Sequence, residues 1–120
     1  MRMNAVRLLN GTTVNGAESS RFSVQGVRDE VISFWFFFGG NAGSSATIRG
    51  SPDTQASALT SPVEGMTLFT VITTGTAAAG QVKTNTAGHA FVVLQALPIM
   101  WVRFQNALSP TDSCFCWLIE

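Results

Sequence analysis

Two cysteines one residue apart, a single histidine and a scatter of carboxylates are the reactive groups of this 120-residue sequence. On an extended strand, Cys114 and Cys116 would share one face with Cα atoms roughly 6.5–7 Å apart. That is at or past the upper end of disulfide geometry, so two reduced, buried thiols are expected. A metal site would need more ligands; His89 is the one obvious third, and nothing has zinc spacing. His89 follows Gly88 at the start of an apolar run. A strand-edge histidine with a structural hydrogen bond is expected there, ahead of a general base. Asp53, Glu64 and Asp112 stand beside Pro, Gly or Thr in expected loops, where carboxylates commonly close turns through backbone N–H groups. No ligand repeat suggests calcium, and nothing singles out a carboxylate pair for glycoside hydrolysis. The motifs G-x-S-x-G, G-x-x-x-x-G-K, H-E-x-x-H and G-x-G-x-x-G are absent. The expectation is a protein without catalytic residues, cofactor or metal.

Composition narrows the partners. Seven Lys plus Arg balance seven Asp plus Glu, for a formal net charge of zero. Proteins that grip nucleic acid through its phosphates usually carry a basic excess, so no nucleic-acid partner is expected. Charged residues make up 12% of the chain, about half the usual share. Thr, Ser, Ala and Gly fill the gap. Nine Phe and three Trp supply apolar area enough to offset chain entropy, which argues for an ordered fold. The length suits one domain with its own core, residues 1–120. The most apolar stretches, Val31 to Phe38 and Phe91 to Val102, fall well short of the roughly 20 residues of a helical span, so no membrane association is expected. Arg7 splits the apolar residues of the N-terminal segment, which leaves no secretory h-region. The Asn10-Gly11-Thr12 sequon is therefore expected to be chance.

What positions these residues is a series of strands. Helical periodicity is almost absent; apolar runs rich in β-branched and aromatic residues alternate with Gly, Asn, Pro or Ser clusters. Strands are expected near Ala5–Leu9, Arg21–Gln25, Glu30–Phe38, Ala46–Gly50, Thr67–Thr73, Gln81–Lys83, His89–Gln95, Met100–Gln105 and Ser113–Ile119. Turn chemistry separates them at Asn10-Gly11, Asn15-Gly16, Gly39-Gly40-Asn41, Ser51-Pro52-Asp53, Gly75, Ala87-Gly88 and Ser109-Pro110. The fold class predicted is all-β: a single-domain β-sandwich or jelly roll of about eight short antiparallel strands. Residues 1–10 suit an extended arm or edge strand, and residues 52–65 form the longest loop.

The strand faces say more. Ile32, Phe34, Phe36 and Phe38 share one face of their strand; Val31, Ser33, Trp35 and Phe37 share the other. The last strand sets Phe115, Trp117 and Ile119 against Cys114, Cys116 and Leu118. Leu68 and Ile72 similarly oppose Phe69 and Val71. A half-wet strand should alternate apolar with polar, as Met100, Val102 and Phe104 do with Trp101, Arg103 and Gln105. Strands apolar on both faces need two covers. One is the opposing sheet; the long loop or a neighbouring copy must supply the other, and a short chain with few charges favours the neighbour.

Ala46-Thr47-Ile48-Arg49-Gly50-Ser51-Pro52-Asp53 resembles a recurring element of small tailed-bacteriophage virion proteins, in which a strand ends in Gly-Ser before an Asp-containing turn. Met100-Trp101-Val102-Arg103-Phe104 is similar to the aromatic-Val-Arg-apolar strand that often follows. Thr54, Gln55 and Ala56 stand where such proteins often have Gly and then Trp. The resemblance implies a capsid decoration (cement) protein, a trimer that clamps major capsid protein subunits together on the capsid surface of the virion after synthesis in the host cytoplasm. On that reading the contact between copies uses Trp35, Phe37, Phe115 and Trp117. Arg2 and Arg7 would reach the capsid or a neighbour from the N-terminal segment. A tail, neck or fibre-base protein and a carbohydrate-binding module are the alternatives.

Overall fold

A computed structural model describes residues 5–23, 31–40, 44–51, 66–84, 88–105 and 112–119. They form β1 (Ala5–Thr12), β2 (Phe22–Ser23), β3 (Val31–Gly39), β4 (Ser45–Ser51), β5 (Met66–Ile72), β6 (Gln81–Lys83), β7 (His89–Gln95), β8 (Ile99–Gln105) and β9 (Ser113–Ile119). All nine expected strands are present, and β6, β7 and β9 keep their expected bounds. The strands build two sheets, one ordered β1-β9-β3-β7 and the other β2-β8-β4-β5-β6. The chain is an all-β sandwich.

The pairing is nested. β1 pairs with β9, β2 with β8, β3 with β7 and β4 with β5, all antiparallel. Cross-pairs β3·β9 and β4·β8 complete the two sheets. The core lies between them: Ile32, Phe34, Phe36 and Phe38 of β3, with Val92, Cys114, Cys116 and Leu118 from its neighbours, face Ala46, Ile48, Val71, Met100, Val102 and Phe104 of the other sheet. β3 contributes large side chains throughout, and the strands beside it answer Phe36 and Phe38 with small ones. Phe36 stands between Cys116 and Ala90, and Phe34 has Val92 on one side. The rings run on as a ladder, Phe34 to Phe36 at 6.5 Å, Phe36 to Phe38 at 6.1 Å and Phe38 across to Phe104 at 6.4 Å. Close packing of this kind needs small neighbours wherever a ring lies flat.

The structure corrects four expectations. Asn10-Gly11 is not a turn. β1 runs through it to Thr12, with register shifts between Arg7 and Leu9 and between Asn10 and Thr12. Gly11, at φ 71°, supplies the left-handed residue that a bulge inserts into a strand. A side chain there would also meet the Phe115 ring, 2.8 Å from its Cζ. Second, the strands are not all antiparallel: β5 and β6 pair in parallel. Third, β8 has no wet face in its centre. The segment before β2 runs along it, with Gly16 N–H donating to Phe104 O and Ser19 N–H to Val102 O, each at 2.8 Å. The Arg21 guanidinium then lies 4.2 Å over the Trp101 ring, and Trp101 is only 1% exposed. Asp112 stands in a loop before β9, as expected. It is buried and accepts a hydrogen bond from Ser44 Oγ at 2.9 Å, while Thr73 Oγ1 donates to Ser44 O. This polar tie joins the two sheets at one end of the sandwich. Fourth, the bulge between Ile48 and Arg49 in the β4·β5 ladder lets Leu68 pack on the core beside Phe69, so the expected opposition of those two residues does not hold. Asp53, Glu64 and the 52–65 loop lie outside the described residues.

Candidate functional site

The two sheets treat their outer faces differently. On the β2-β8-β4-β5-β6 sheet, Ile99 and Trp101 form a small second core. On the β1-β9-β3-β7 sheet the outer face is open and aromatic. Residues directly opposite one another on neighbouring strands share a face, so the ladders define its rows. One row runs Arg7, Trp117, Trp35, Phe91 across all four strands. Beside it runs Asn10, Phe115, Phe37, His89, and on the other flank Ala5, Ile119, Ser33, Val93.

All four residues expected to make the contact between copies therefore stand on one face; three of them touch in a chain, and Trp35 meets His89 and Phe91 beside them. Phe115 stacks on Trp117 with centroids 6.0 Å apart, Phe37 reaches Phe115 at 6.1 Å, and Trp35 meets Phe91 at 5.7 Å. Exposure rises toward the β7 edge. Phe37, Phe115 and Trp117 are half-buried, whereas Trp35 is 37%, Phe91 47% and Val93 52% exposed. Phe91 and Val93 were not among the expected residues. Their signal was present in His89–Gln95, where the positions holding Phe and Val alternate with Ala90, Val92 and Leu94, so this strand too is apolar on both faces.

Two pairs of polar side chains on the face are bound to each other. Trp35 Nε1–H donates to His89 Nδ1 at 3.0 Å, which makes His89 the strand-edge histidine with a structural hydrogen bond that its position suggested. The imidazole also packs on Phe37, 4.7 Å between centroids. At the other margin, Arg7 lies 5.6 Å from the centroid of the Trp117 ring and donates from Nη1 to Asn10 Oδ1 at 2.9 Å. Arg7 thus sits on the same face as the aromatics, at its rim; Arg2 lies outside the described residues. Atoms paired in this way can be covered by another apolar surface without being stranded.

The two thiols lie in the core. Cys114 and Cys116 are free and buried. Burial pushes the Cys114 thiol up to about 12; burial and then the neighbouring Cys114 push Cys116 well above the usual thiol range. Nucleophilic chemistry needs the thiolate, so these thiols are inert in the fold. Among the described residues, no group of three or more His, Cys, Asp or Glu could hold a metal ion. Among the same residues, no helix is long and apolar enough to cross a membrane. No protein-family model, curated protein or solved structure matches this chain.

Proposed function

We propose that this chain is a structural protein of a virus particle, a capsid decoration protein that binds its own copies through the outer face of the β1-β9-β3-β7 sheet and clamps major capsid protein subunits as a trimer. The observation that carries the self-association is the open aromatic face centred on Trp35. Four strands about 4.8 Å apart, over seven residues of about 3.4 Å rise, give a face of roughly 450 Å². That is as large as the largest patch of a typical monomer and about half of what one partner contributes to a standard interface. The remaining area would come from the rim.

The capsid role is supported by the resemblance at residues 46–53 and 100–104. It is supported also by the nested strand pairing, which we read as the wiring of a jelly roll, an architecture that recurs in viral capsid proteins. Such a protein needs no catalytic group, cofactor, nucleic acid or membrane; it resists outward pressure on the shell by burying area across subunit boundaries. A glycan-binding platform is less well supported, because the Trp35 N–H that would meet a sugar hydroxyl is already bound to His89.

Co-sedimentation with empty shells, assembled from the major capsid protein of the same genome, tests the proposal. Saturable binding at a fixed ratio, with shells that then withstand higher temperature, is the expected result. Absence of binding to shells, with recovery on tails instead, would move the protein to another part of the virion.

A further inference from the structure

We propose that the outer face of the β2-β8-β4-β5-β6 sheet is the surface that meets the capsid, and that it recognises carboxylate side chains of the major capsid protein. This rests on the reading of the chain as a protein that binds capsid subunits. Partners across a ladder share a face, and two rows define this one. The Arg21 guanidinium lies 4.2 Å from the centroid of the Trp101 ring, and the partner of Trp101 on β4 is Arg49. In the next row Arg103 stands between Thr47 of β4 and Glu18. Lys83 of β6 belongs to the same face: it pairs with Ile72, which pairs with Ser45, two residues before Thr47 on β4. Four of the seven Lys and Arg of the chain thus share one face, on the side of the sandwich opposite the aromatic one. Among the described residues, Glu18 is the acidic side chain placed with them.

The chemistry of these side chains favours a protein partner. Arg21, Arg49 and Arg103 are half-buried. A guanidinium held in this way is pre-oriented and weakly hydrated, so it pairs with a carboxylate through two parallel hydrogen bonds at a smaller cost than a lysine ammonium. Arg is accordingly enriched in interfaces, where Lys is depleted. The spacing fits as well. Arg49 and Arg103 are diagonal neighbours on adjacent strands, roughly 7–8 Å apart, and carboxylates on alternate residues of a partner's strand repeat at roughly 7 Å. Nucleic acid fits less well: the chain has no net charge, and Glu18 beside Arg103 would repel a continuous row of phosphates. Arg7 stands apart from this set, held by Asn10 and Trp117 at the rim of the aromatic face. The two outer faces therefore serve different partners, the aromatic one further copies and the arginine one the shell.

Co-sedimentation with empty shells of the major capsid protein, at roughly 50 mM and roughly 500 mM salt, tests this. Wild type is compared with the double variant Arg49→Gln, Arg103→Gln, whose mass in solution and circular-dichroism spectrum are checked against it. Wild type should bind at low salt and at least about tenfold more weakly at high salt. The double variant should keep its association with further copies and bind shells about tenfold or more weakly at low salt. Polyglutamate should compete with the shells, and duplex DNA of equal charge should not. A folded double variant that binds as tightly as wild type would overturn the proposal and leave the capsid reading standing. Competition by DNA alone would overturn the carboxylate partner. A wild type that binds shells at neither salt concentration would remove the capsid reading, and this inference with it. If the double variant fails to fold, Lys83→Glu, at the exposed end of β6, decides: weaker binding at low salt supports the proposal, unchanged binding overturns it.

Discussion

Cys114 and Cys116 lie opposite Phe38 and Phe36 on the inner face of the sheet, and their smallness is what the structure uses. Cys116→Leu should overpack the ladder of rings and lower stability by about 1–3 kcal/mol, measurable by urea unfolding. The thiols also make a pH prediction. Their folded values lie above the unfolded one, near 9, so the folded state holds its protons more tightly. The associated stability is fully present below about pH 8.5 and is lost as pH rises from there through about 12. Maleimide labelling at pH 8 should therefore be slow in buffer and fast in denaturant; rapid labelling of the native protein would contradict the burial. That the two thiols share a buried face was readable from their spacing alone. The role of Asp112 was not, because its partner Ser44 stands 68 positions away and only the closed sandwich brings them together.

A single strand, β3, carries both halves of the account. Its inner residue Phe34 is fully buried, and Phe34→Ala should cost about 3–5 kcal/mol, a large part of the 5–15 kcal/mol that holds a domain of this size. Its outer residue Trp35 should behave differently. Trp35→Glu loses cross-strand contacts worth about 1 kcal/mol and should leave the circular-dichroism spectrum intact while abolishing association. Comparable unfolding by both would show that Trp35 belongs to the fold and not to a contact. The strands themselves were legible because β-branched and aromatic runs between turn residues signal nothing else. Which face gets covered was not. β8 looked half-wet and is roofed by Arg21, whereas the outer face of β3, which the sequence left for a second cover, is open within one copy. The difference lies in the path of the segment before β2, which no periodicity within β8 or β3 encodes. The Asn10-Gly11 pair shows the same limit: its left-handed glycine suits a turn or a bulge equally, and pairing with β9 decides for the bulge.

At the scale of the molecule, the sheet edges differ in how they are protected. β1 carries two register shifts and Arg7, β2 has two residues, and β6 has three, ending in Lys83. Bulges, charge and brevity are the usual guards against stray pairing. β7 has none of them: seven residues without a charge, paired to β3 without a register shift. A neighbouring copy seated there would protect the edge together with the aromatic face. Val93→Lys should accordingly weaken association and raise solubility; unchanged mass would place the contact away from β7. The most direct test of the central claim is the mass of the protein in solution, by size-exclusion chromatography with light scattering over a tenfold range of concentration, wild type beside Trp35→Glu. The account predicts a stable species near three times 12.8 kDa for wild type and a single copy for the variant. A wild type of 12.8 kDa at every concentration would contradict it.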